Sequence, residues 1–290
     1  MDKLLRLQKN NKVKRMSFES AIAGPGPSRT SQVVALTRAQ LVRPRSAEGD
    51  QDAQRALCAG LTLAPPEWLR PSIRARTRFM DEEVIAALGR GVRQVVICGA
   101  GLDDRALRFR TPGVQFFELD HPVTQADKAE RLRAMGAAGP TLAPCDFQTE
   151  SVADVLAANG HDAAQPTLFL CEGLLVYLDQ QACLRLLAGA ASRAARGSTL
   201  AASLATCDQT APLAEVVATA NARRRAGAAE PWRTILPRDE HLALLADAGW
   251  TVTTVTDSPS ASDDVSHGRR SLLVVATPAF AVGLPPLCAR

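Results

Sequence analysis

Residues 93 to 122 read RQVVICGAGLDDRALRFRTPGVQFFELDHP. Gln94 to Cys98 is a short β-branched, apolar run that ends at the turn Gly99-Ala100-Gly101. A charged helix start follows, and a second apolar run, Val114 to Leu119, ends on Asp120. Because strand, glycine turn, helix, strand and acid follow one another in this order, the stretch predicts the first half of a nucleotide-binding, doubly wound sheet.

The charge at the helix start distinguishes two kinds of cofactor. A dinucleotide site has a third glycine where this chain has Asp104, and its pyrophosphate needs a helix start free of anions. Asp103 and Asp104 favour S-adenosylmethionine, since it has no phosphate and carries an ammonium and a sulfonium, and Asp120 is placed to bind its ribose. The alternative is an ordinary βαβ unit whose glycines only form a turn and whose aspartates only cap a helix.

Composition predicts one large α/β domain with an appended segment. The chain has 290 residues, of which 46% are hydrophobic, so it can bury one large core. Its net charge of +4 is small against 34 basic and 30 acidic residues, and the excess is not gathered in one basic block. Nucleic-acid binding is therefore not implied.

The cysteines predict neither a disulfide framework nor a metal site. Seven are scattered without a C-x-x-C pair, and several fall in predicted strands, as reduced core residues do: Cys58, Cys98, Cys145, Cys171, Cys183, Cys207 and Cys288. The basic N-terminus lacks an apolar signal region, and no stretch approaches the length of a membrane span. We expect a cytoplasmic protein that does not contact a membrane.

The chain order suggests three parts. Residues 1–30 are basic, then rich in Gly, Pro and Ser, and predict a flexible arm. Residues 31–80 lie before the nucleotide core, with a helix expected from Ser31 to Leu41 and a short one from Leu57 to Leu63, and predict an N-terminal helical cap. Residues 81–290 form the expected cofactor-binding domain, with a further cap insertion at about 207–238, where Arg223 to Arg225 could attract an acidic acceptor.

Two candidate contacts to the amino-acid part of the cofactor stand in different regions. Arg76 precedes a helix predicted from Asp81 to Leu88, and its guanidinium could bind the carboxylate of a methionine moiety; the alternative is a solvated surface arginine. Glu172 follows the predicted strand Thr167 to Cys171, at the strand end where ligands lie in doubly wound sheets. It could meet the ammonium or a nearby arginine, or it could be a solvated helix start.

Further candidates surround these positions. Asp146 and Phe147 follow the predicted strand Thr141 to Ala143 and suit an adenine, whereas Asp146 could instead cap the next helix. Tyr177 could orient an acceptor oxygen. His121 is interpreted as structural or capping, and Lys128 is placed on the exposed side of the helix that follows it.

The remaining pattern gives seven strands. Ser198 to Ala205 is the fifth, and Trp250 to Val255 with Leu272 to Ala276 predicts an antiparallel hairpin, since the loop between them lacks a crossover helix. The predicted fold is α/β: a class I methyltransferase Rossmann-like fold with a mostly parallel seven-stranded sheet, an antiparallel last strand and an N-terminal helical cap.

Several motifs together resemble the leucine carboxyl methyltransferase family, including its bacterial branch of carboxylate O-methyltransferases from polyketide pathways. They are Ala75-Arg76-Thr77, Gln94 to Arg105, Phe117 to Pro122 with Lys128, Glu172 to Leu178, and Gly249-Trp250. They cover most of the chain from about residue 70 onward.

This resemblance implies an enzyme that uses S-adenosylmethionine. It implies that Arg76 holds the cofactor carboxylate, that Gly99, Ala100 and Gly101 form the turn that approaches the cofactor, and that Asp120 binds the ribose. It also implies adenine recognition by Asp146 and Phe147 and a role for Glu172 near the amino-acid end.

The expected reaction is O-methylation of a small-molecule carboxylic acid to a methyl ester, because a carboxylate is ionised at neutral pH and needs no general base. The four histidines form no obvious catalytic constellation, and no proton-transfer residue or metal ligand is assigned. The alternatives are methylation of a phenol or alcohol, an NAD-dependent oxidoreductase, and an inactive cofactor-binding regulatory protein.

Overall fold

The computed structural model of the protein describes residues 26–207, 212–224, 230–258 and 270–280. The helices are α1 (Arg29–Arg38), α2 (Ala53–Leu57), α3 (Arg70–Gly89), α4 (Arg105–Arg108), α5 (Pro122–Ala134), α6 (Val152–Ala158), α7 (Gln180–Ser192), α8 (Leu213–Arg224) and α9 (Arg238–Asp247). The strands are β1 (Gln94–Cys98), β2 (Gln115–Asp120), β3 (Thr141–Pro144), β4 (Thr167–Cys171), β5 (Thr199–Cys207), β6 (Leu236–Pro237), β7 (Trp250–Ser258) and β8 (Arg270–Pro278). Short 3-10 helices span Glu67–Leu69 and Leu175–Tyr177.

The strands form one sheet in the order β3-β2-β1-β4-β5-β8-β7, and β6 pairs with β5. All pairings are parallel except those of β8, which runs antiparallel to both β5 and β7. The predicted α/β class, mostly parallel sheet and antiparallel last strand are confirmed. The two-residue strand β6 was not predicted, because two residues are too few to show a period.

Helices pack on both faces of the sheet because its central strands are apolar on both sides. In β1, Val96 and Cys98 face a core cluster that includes Phe117, Phe169 and Trp250. Val95 and Ile97 point to the other face, against apolar residues of α3. Both faces of β1 are therefore buried, as parallel strands in doubly wound folds require.

The helix predictions differ from the structure mainly before β1. Helix α3 begins at Arg70, with Pro71 in its first turn, rather than at Asp81 as predicted. The sequence hid this start because the arginines in the first half of α3 interrupt the apolar period. The helix predicted from Leu57 to Leu63 is also wrong, since α2 ends at Leu57.

Other predicted features have structural counterparts. Helix α3 ends at Gly89 as predicted, and Gly249 takes a φ of 86° between α9 and β7. The six cysteines in the described residues are buried thiols. None of the helices in the described part has both the length and the apolar character that crossing a membrane requires. Residues 1–25 of the predicted arm, Arg225, residues 259–269 of the loop before β8 and Cys288 lie outside the described residues.

The fold positions a site where the sheet order reverses. Strands β1 and β4 are neighbours in the sheet. The chain continues from β1 to β2 on one side of this pair and from β4 to β5 on the other side. A crevice therefore opens outside their carboxyl ends, and in open α/β sheets ligands bind in such crevices.

Candidate functional site

A cavity of about 460 Å³ lies at the carboxyl ends of the strands, within the size range of small-molecule sites. Eight of the nine residues proposed from the sequence line it: Arg76, Gly99, Ala100, Asp120, Asp146, Phe147, Glu172 and Tyr177. The remaining candidate, Gly101, is not among the lining residues. Residues far apart in the sequence therefore meet in one cavity.

The glycine turn is tightly packed against other parts of the chain. Gly99 and Gly101 have φ angles of 67° and 50°, which glycine adopts without steric cost. A methyl group added at Gly101 would lie 2.5 Å from Cβ of Ser31, and one at Gly99 would lie 2.9 Å from Leu174. Gly101 therefore lets helix α1 approach the turn closely, a role that the sequence did not indicate.

Asp120 ends β2 with its carboxylate beside this turn. Its Oδ2 accepts a hydrogen bond from the Gly101 N–H at 2.6 Å, and its Oδ1 accepts one from the His121 N–H at 2.7 Å. Burial raises the pKa of Asp120 to about 6, and the two backbone donors oppose that rise. Each oxygen keeps a second acceptor position, so the carboxylate can still accept from the two hydroxyls of a ribose.

Arg76 and Glu172 form one wall of the cavity. Nε of Arg76 donates to Oε1 of Glu172 at 3.0 Å. Within the described residues, the two terminal nitrogens of Arg76 form no hydrogen bond, and the side chain is 17% exposed. Burial lowers the pKa of Arg76 and Glu172 opposes this change, but a guanidinium stays charged in proteins. Arg76 can therefore present two donors to an incoming carboxylate.

Glu172 also contacts two further arginines. Its Oε2 lies 2.7 Å from Nη2 of Arg38 and 2.8 Å from Nη1 of Arg105, at angles outside those of a hydrogen bond. Burial alone would raise the pKa of Glu172, but Arg38, Arg105 and Arg76 outweigh it and lower the pKa to about 2. Of the alternatives considered for Glu172, the structure shows the contact with arginines.

A buried network of charges, here called the arginine network, extends from Glu172 behind the cavity. Its members are Arg38, Arg43, Arg76, Arg105 and Arg108 with Asp81, Asp103, Asp104 and Glu172. Arg105 is fully buried and contacts Asp81, Asp103 and Glu172. Since the network contains one more arginine than carboxylates, its surplus charge is positive, and Arg76 is the most exposed of the five.

The electrostatic premise of the cofactor prediction is therefore wrong. Asp103 and Asp104 are buried and do not line the cavity. Asp103 pairs with Arg38 and Arg105, and Asp104 pairs with Arg43 and Arg108. Because these arginines neutralise both carboxylates, the helix start does not present a free negative charge to a ligand. The sequence interpretation did not include these pairs, since Arg38 and Arg43 are distant in the sequence and no role was assigned to Arg105 or Arg108 as a partner.

Lys128 is also misplaced in the sequence interpretation. It was expected on the exposed side of α5, but its side chain is buried and pairs with Glu118. Its Nζ also donates to the backbone oxygen of Asp103 at 2.6 Å. This hydrogen bond connects α5 to the loop after the glycine turn. His121 caps α5 as predicted, with its Nδ1 accepting from the Val123 N–H at 3.4 Å.

Asp146 and Phe147 lie in a turn after β3, at the edge of the cavity. Asp146 does not cap α6, because Ser151 does so by accepting from the Asp154 N–H. Instead, Oδ1 of Asp146 accepts from the Gln148 N–H at 2.9 Å and Oδ2 accepts from the Thr149 hydroxyl at 3.1 Å. Phe147 is buried to 7% exposure beside it. An acidic acceptor next to an apolar ring suits an adenine amine and its face.

Several lining residues were missed by sequence reasoning. They come from α1 with its N-cap and from the segment before β6, and include Ser28, Ser31, Val34, Arg38, Glu230 and Arg233. Nothing in their spacing marks them, because they reach the cavity only through tertiary packing. The cap at residues 31–80 and the cap insertion at about 207–238 stay predictions.

The residues present fit S-adenosylmethionine. Asp120 offers a carboxylate to a ribose, Phe147 offers an apolar wall, and Arg76 offers two unused donors to a carboxylate. A side chain at Gly173 would meet the Arg76 guanidinium at 3.1 Å, so this glycine keeps the space in front of Arg76 open. Within the described residues, no group of three His, Cys, Asp or Glu side chains could hold a metal ion.

Comparisons with known proteins agree with this arrangement. A family model described as leucine carboxyl methyltransferase matches residues 29–191, which is more than half of the chain. A candidate S-adenosyl-L-methionine-dependent methyltransferase of Frankia alni is 37% identical over 210 residues, covering 67% of this chain and 70% of that protein. A similarly named protein of Streptomyces coelicolor is 36% identical over 205 residues, covering 68% of each chain.

A solved structure supports the fold. A candidate methyltransferase from Thermobifida fusca superimposes with a TM-score of 0.55, covering 88% of this chain and 96% of that one. The sequences are only 16% identical, so this similarity concerns the fold alone.

Proposed function

The chain belongs to the leucine carboxyl methyltransferase family and is an S-adenosylmethionine-dependent methyltransferase, and we propose that it methylates a carboxylate of a small molecule to a methyl ester. The family membership rules out the oxidoreductase considered from the sequence. The carboxylate acceptor is our proposal, and it draws support from the family's description and from the chemistry of the cavity.

We assign the cofactor contacts as follows. Arg76 binds the carboxylate of the methionine moiety through its two terminal nitrogens, and Glu172 orients Arg76 through the 3.0 Å hydrogen bond to Nε. Asp120 binds the ribose hydroxyls, and Asp146 and Phe147 contact the adenine. The turn Gly99-Ala100-Gly101 lies beside Asp120, held there by the Gly101 N–H.

The observation that carries the carboxylate proposal is that the titratable side chains of the cavity already make hydrogen bonds or ion pairs. The lining contains His121, whose Nδ1 accepts a hydrogen bond from the backbone of α5. Asp120, Asp146 and Glu172 are each already engaged by donors or arginines, and the fourth carboxylate of the lining, Glu230, acts on Asp120, which we assign to the ribose. An acceptor that arrives ionised suits this site, because it needs no general base.

The protein's task is then to hold the acceptor oxygen in line with the methyl group and to exclude water. When bound, S-adenosylmethionine supplies that methyl group on a sulfonium: an oxygen lone pair forms the new C–O bond, and the electrons of the C–S bond stay on sulfur. No proton is released when the acceptor is a carboxylate. A phenol or alcohol would have to lose one.

The experiment is product analysis with a methyl-labelled cofactor and a panel of aromatic and aliphatic acids. We expect labelled products that release methanol in mild base, as methyl esters do. Denatured enzyme serves as the control for chemical methylation. A base-stable ether would contradict the carboxyl assignment but leave the methyltransferase intact, and cofactor binding without any turnover would instead favour an inactive regulatory protein.

A further inference from the structure

Hydrogen bonds of its backbone hold the segment before β6 beside the cavity. The Trp232 N–H donates to the side-chain oxygen of Asn221 at 2.8 Å, and the Asn221 amide donates back to the Trp232 carbonyl at 2.9 Å. The Arg233 N–H then donates to the Val176 carbonyl at 2.7 Å. Arg233 is therefore held between helix α8 and the 3-10 helix that carries Tyr177.

Arg233 lines the cavity as a half-buried cation without a carboxylate partner. The other half-buried or buried arginines of the lining, Arg38 and Arg76, both contact Glu172. Among the described residues, no carboxylate oxygen lies within 4.0 Å of the Arg233 guanidinium, and this includes the nearby Glu230. A partly buried charge without a partner is costly, so such a group favours an anionic ligand.

The charges of the cavity are separated in space. Glu230 is close enough to Asp120 to raise its pKa slightly, after burial as the main cause, so Glu230 belongs to the ribose side. Arg233 is bonded instead to the element of Tyr177, and Tyr177 in turn acts on the pKa of Arg76. The backbone of Arg233 is thus joined to the 3-10 helix that carries Tyr177, and both residues line the cavity.

The cavity that Arg233 lines also has apolar residues in its wall. Leu174 and Leu178 flank Tyr177 in the sequence, and both line the cavity. Val34 of α1 is buried and lines it as well. An acceptor with an apolar or aromatic body and one anionic group would match this combination. Arg29 also lines the cavity, but its side chain is exposed at the start of α1, so water solvates its charge.

We propose that Arg233 binds the carboxylate of the methyl acceptor and selects acids over uncharged analogues, an inference that rests on the proposed carboxyl methylation. Because the acceptor carboxylate loses its charge as the ester forms, the attraction to Arg233 is stronger for the bound acid than for the product. Arg233 should therefore act on acceptor binding more than on the chemical step, and the neutral ester should leave easily.

The test compares the wild-type enzyme with Arg233→Met, Arg233→Lys and the control Arg238→Met. Arg238 is an exposed arginine five residues further on that does not line the cavity, so its substitution removes the same charge from the surface. The acceptors are hydroxylated aromatic acids, starting with 4-hydroxybenzoate, each tested beside its carboxamide. The readouts are KM, kcat, the identity of the product, the Kd for S-adenosylhomocysteine and the melting temperature.

We expect Arg233→Met to raise KM for the acids by about 10- to 100-fold, the range for loss of a charged hydrogen bond, while kcat changes by less than about 3-fold. Arg233→Lys should recover part of the loss, and Arg238→Met should behave as wild type. The Kd for S-adenosylhomocysteine and the melting temperature should not move, which excludes a folding defect.

The outcomes separate the two proposals. Ester formation with an unchanged KM in Arg233→Met would overturn the role of Arg233 and leave the proposed function standing. An ether product with a raised KM would contradict carboxyl methylation but support binding of the acid group by Arg233. Equal use of acids and carboxamides by the wild-type enzyme would overturn the selectivity for anions.

Discussion

Glu172 connects three helices to the end of one strand. It follows β4 and contacts Arg38 of α1, Arg76 of α3 and Arg105 of α4. Of the three, Arg76 keeps two terminal nitrogens for a ligand, whereas Arg105 is fully buried and the nitrogens of Arg38 already contact Thr77, Asp103 and Glu172. We propose that Glu172 acts on the cofactor through Arg76, so its removal should affect both folding and binding.

Replacing Glu172 by Gln should lower the free energy of unfolding by about 3 to 5 kcal/mol, because three buried arginines lose a shared counter-charge. Urea denaturation measures this loss. The matched control is Glu82→Gln, which breaks the exposed pair of Glu82 with Arg78 and should leave the unfolding transition unchanged. Equal transitions for wild type and Glu172→Gln would contradict the charge assignment.

The same substitution should change how stability depends on pH. The pKa of Glu172 is lowered to about 2 against an ordinary value of 4.5. Its contribution is therefore complete above pH 4.5 and is lost as the pH falls toward 2, by about 3 kcal/mol in total. The difference between wild type and Glu172→Gln should shrink over this range. A constant difference would mean that Glu172 does not act through its charge.

For single residues, the sequence predicted the lining of the cavity better than it predicted the ion pairs of the arginine network. Asp120 and Glu172 could be proposed because each stands at a strand end. Arg76 was proposed from its possible reach over the glycine turn and from the family resemblance. The distant partners of Asp103 and Asp104 could not be found, because Arg38 and Arg43 are about 60 residues away and no period connects them. Ion pairing over such distances depends on packing rather than on local pattern.

Helix α1 is the element that most depends on contacts with the glycine turn. It carries Arg38 into the arginine network and places Ser31 against Gly101. Its own sequence gives it little amphipathic character, and its N-terminus is capped by the Ser28 hydroxyl, which accepts from the Ser31 N–H at 3.0 Å. Tertiary contacts therefore hold α1 over the cavity more than helix propensity does.

Substituting Gly101 by Ala should displace α1. The new methyl group would lie 2.5 Å from Cβ of Ser31, and the backbone φ of 50° is unfavourable for alanine. The control is Gly113→Ala, which has a φ of 73° and no atom within 4 Å of the added methyl group. Both variants bear a conformational cost of about 1 kcal/mol, and Gly101→Ala should lose roughly 1 to 3 kcal/mol more from overpacking.

Urea denaturation compares the two glycine variants, and hydrogen exchange locates the change. Amide protons of α1 should exchange faster in Gly101→Ala and at the wild-type rate in Gly113→Ala. Equal destabilisation of the two variants would show that the close contact between α1 and the turn is not formed in solution.

Among the elements, those of the sheet were predictable and those before it were less so. The strands β1 and β4 match their predicted bounds because both are continuous apolar runs between turn signals. Helix α3 was predicted 11 residues too short at its start, because Arg74, Arg76 and Arg78 hide its apolar face. Arg76, one of the three arginines that interrupt the apolar pattern of the helix, is also the one that lines the cavity.

Considered as a whole, the molecule neutralises most of its internal charge and leaves cations at the cavity. The arginine network keeps one surplus positive charge at Arg76, and Arg233 adds a second cation from the segment before β6. The sequence argument expected the opposite, a negative turn that attracts a cationic cofactor. The cofactor was predicted correctly, but in our proposal arginines bind both its carboxylate and the acceptor.

The most direct measurement is the calorimetric affinity of S-adenosylhomocysteine and of adenosine for the wild-type protein, Arg76→Met and the control Arg78→Met. Arg78 is exposed on the same helix, two residues from Arg76, and pairs with Glu82. Only S-adenosylhomocysteine carries the amino-acid carboxylate that we assign to Arg76.

We predict that Arg76→Met weakens S-adenosylhomocysteine by about 10- to 100-fold, as loss of a charged hydrogen bond does, and leaves adenosine unchanged, while Arg78→Met alters neither affinity. Wild-type affinity of Arg76→Met for S-adenosylhomocysteine would contradict this placement of the cofactor. So would an equal loss for both ligands.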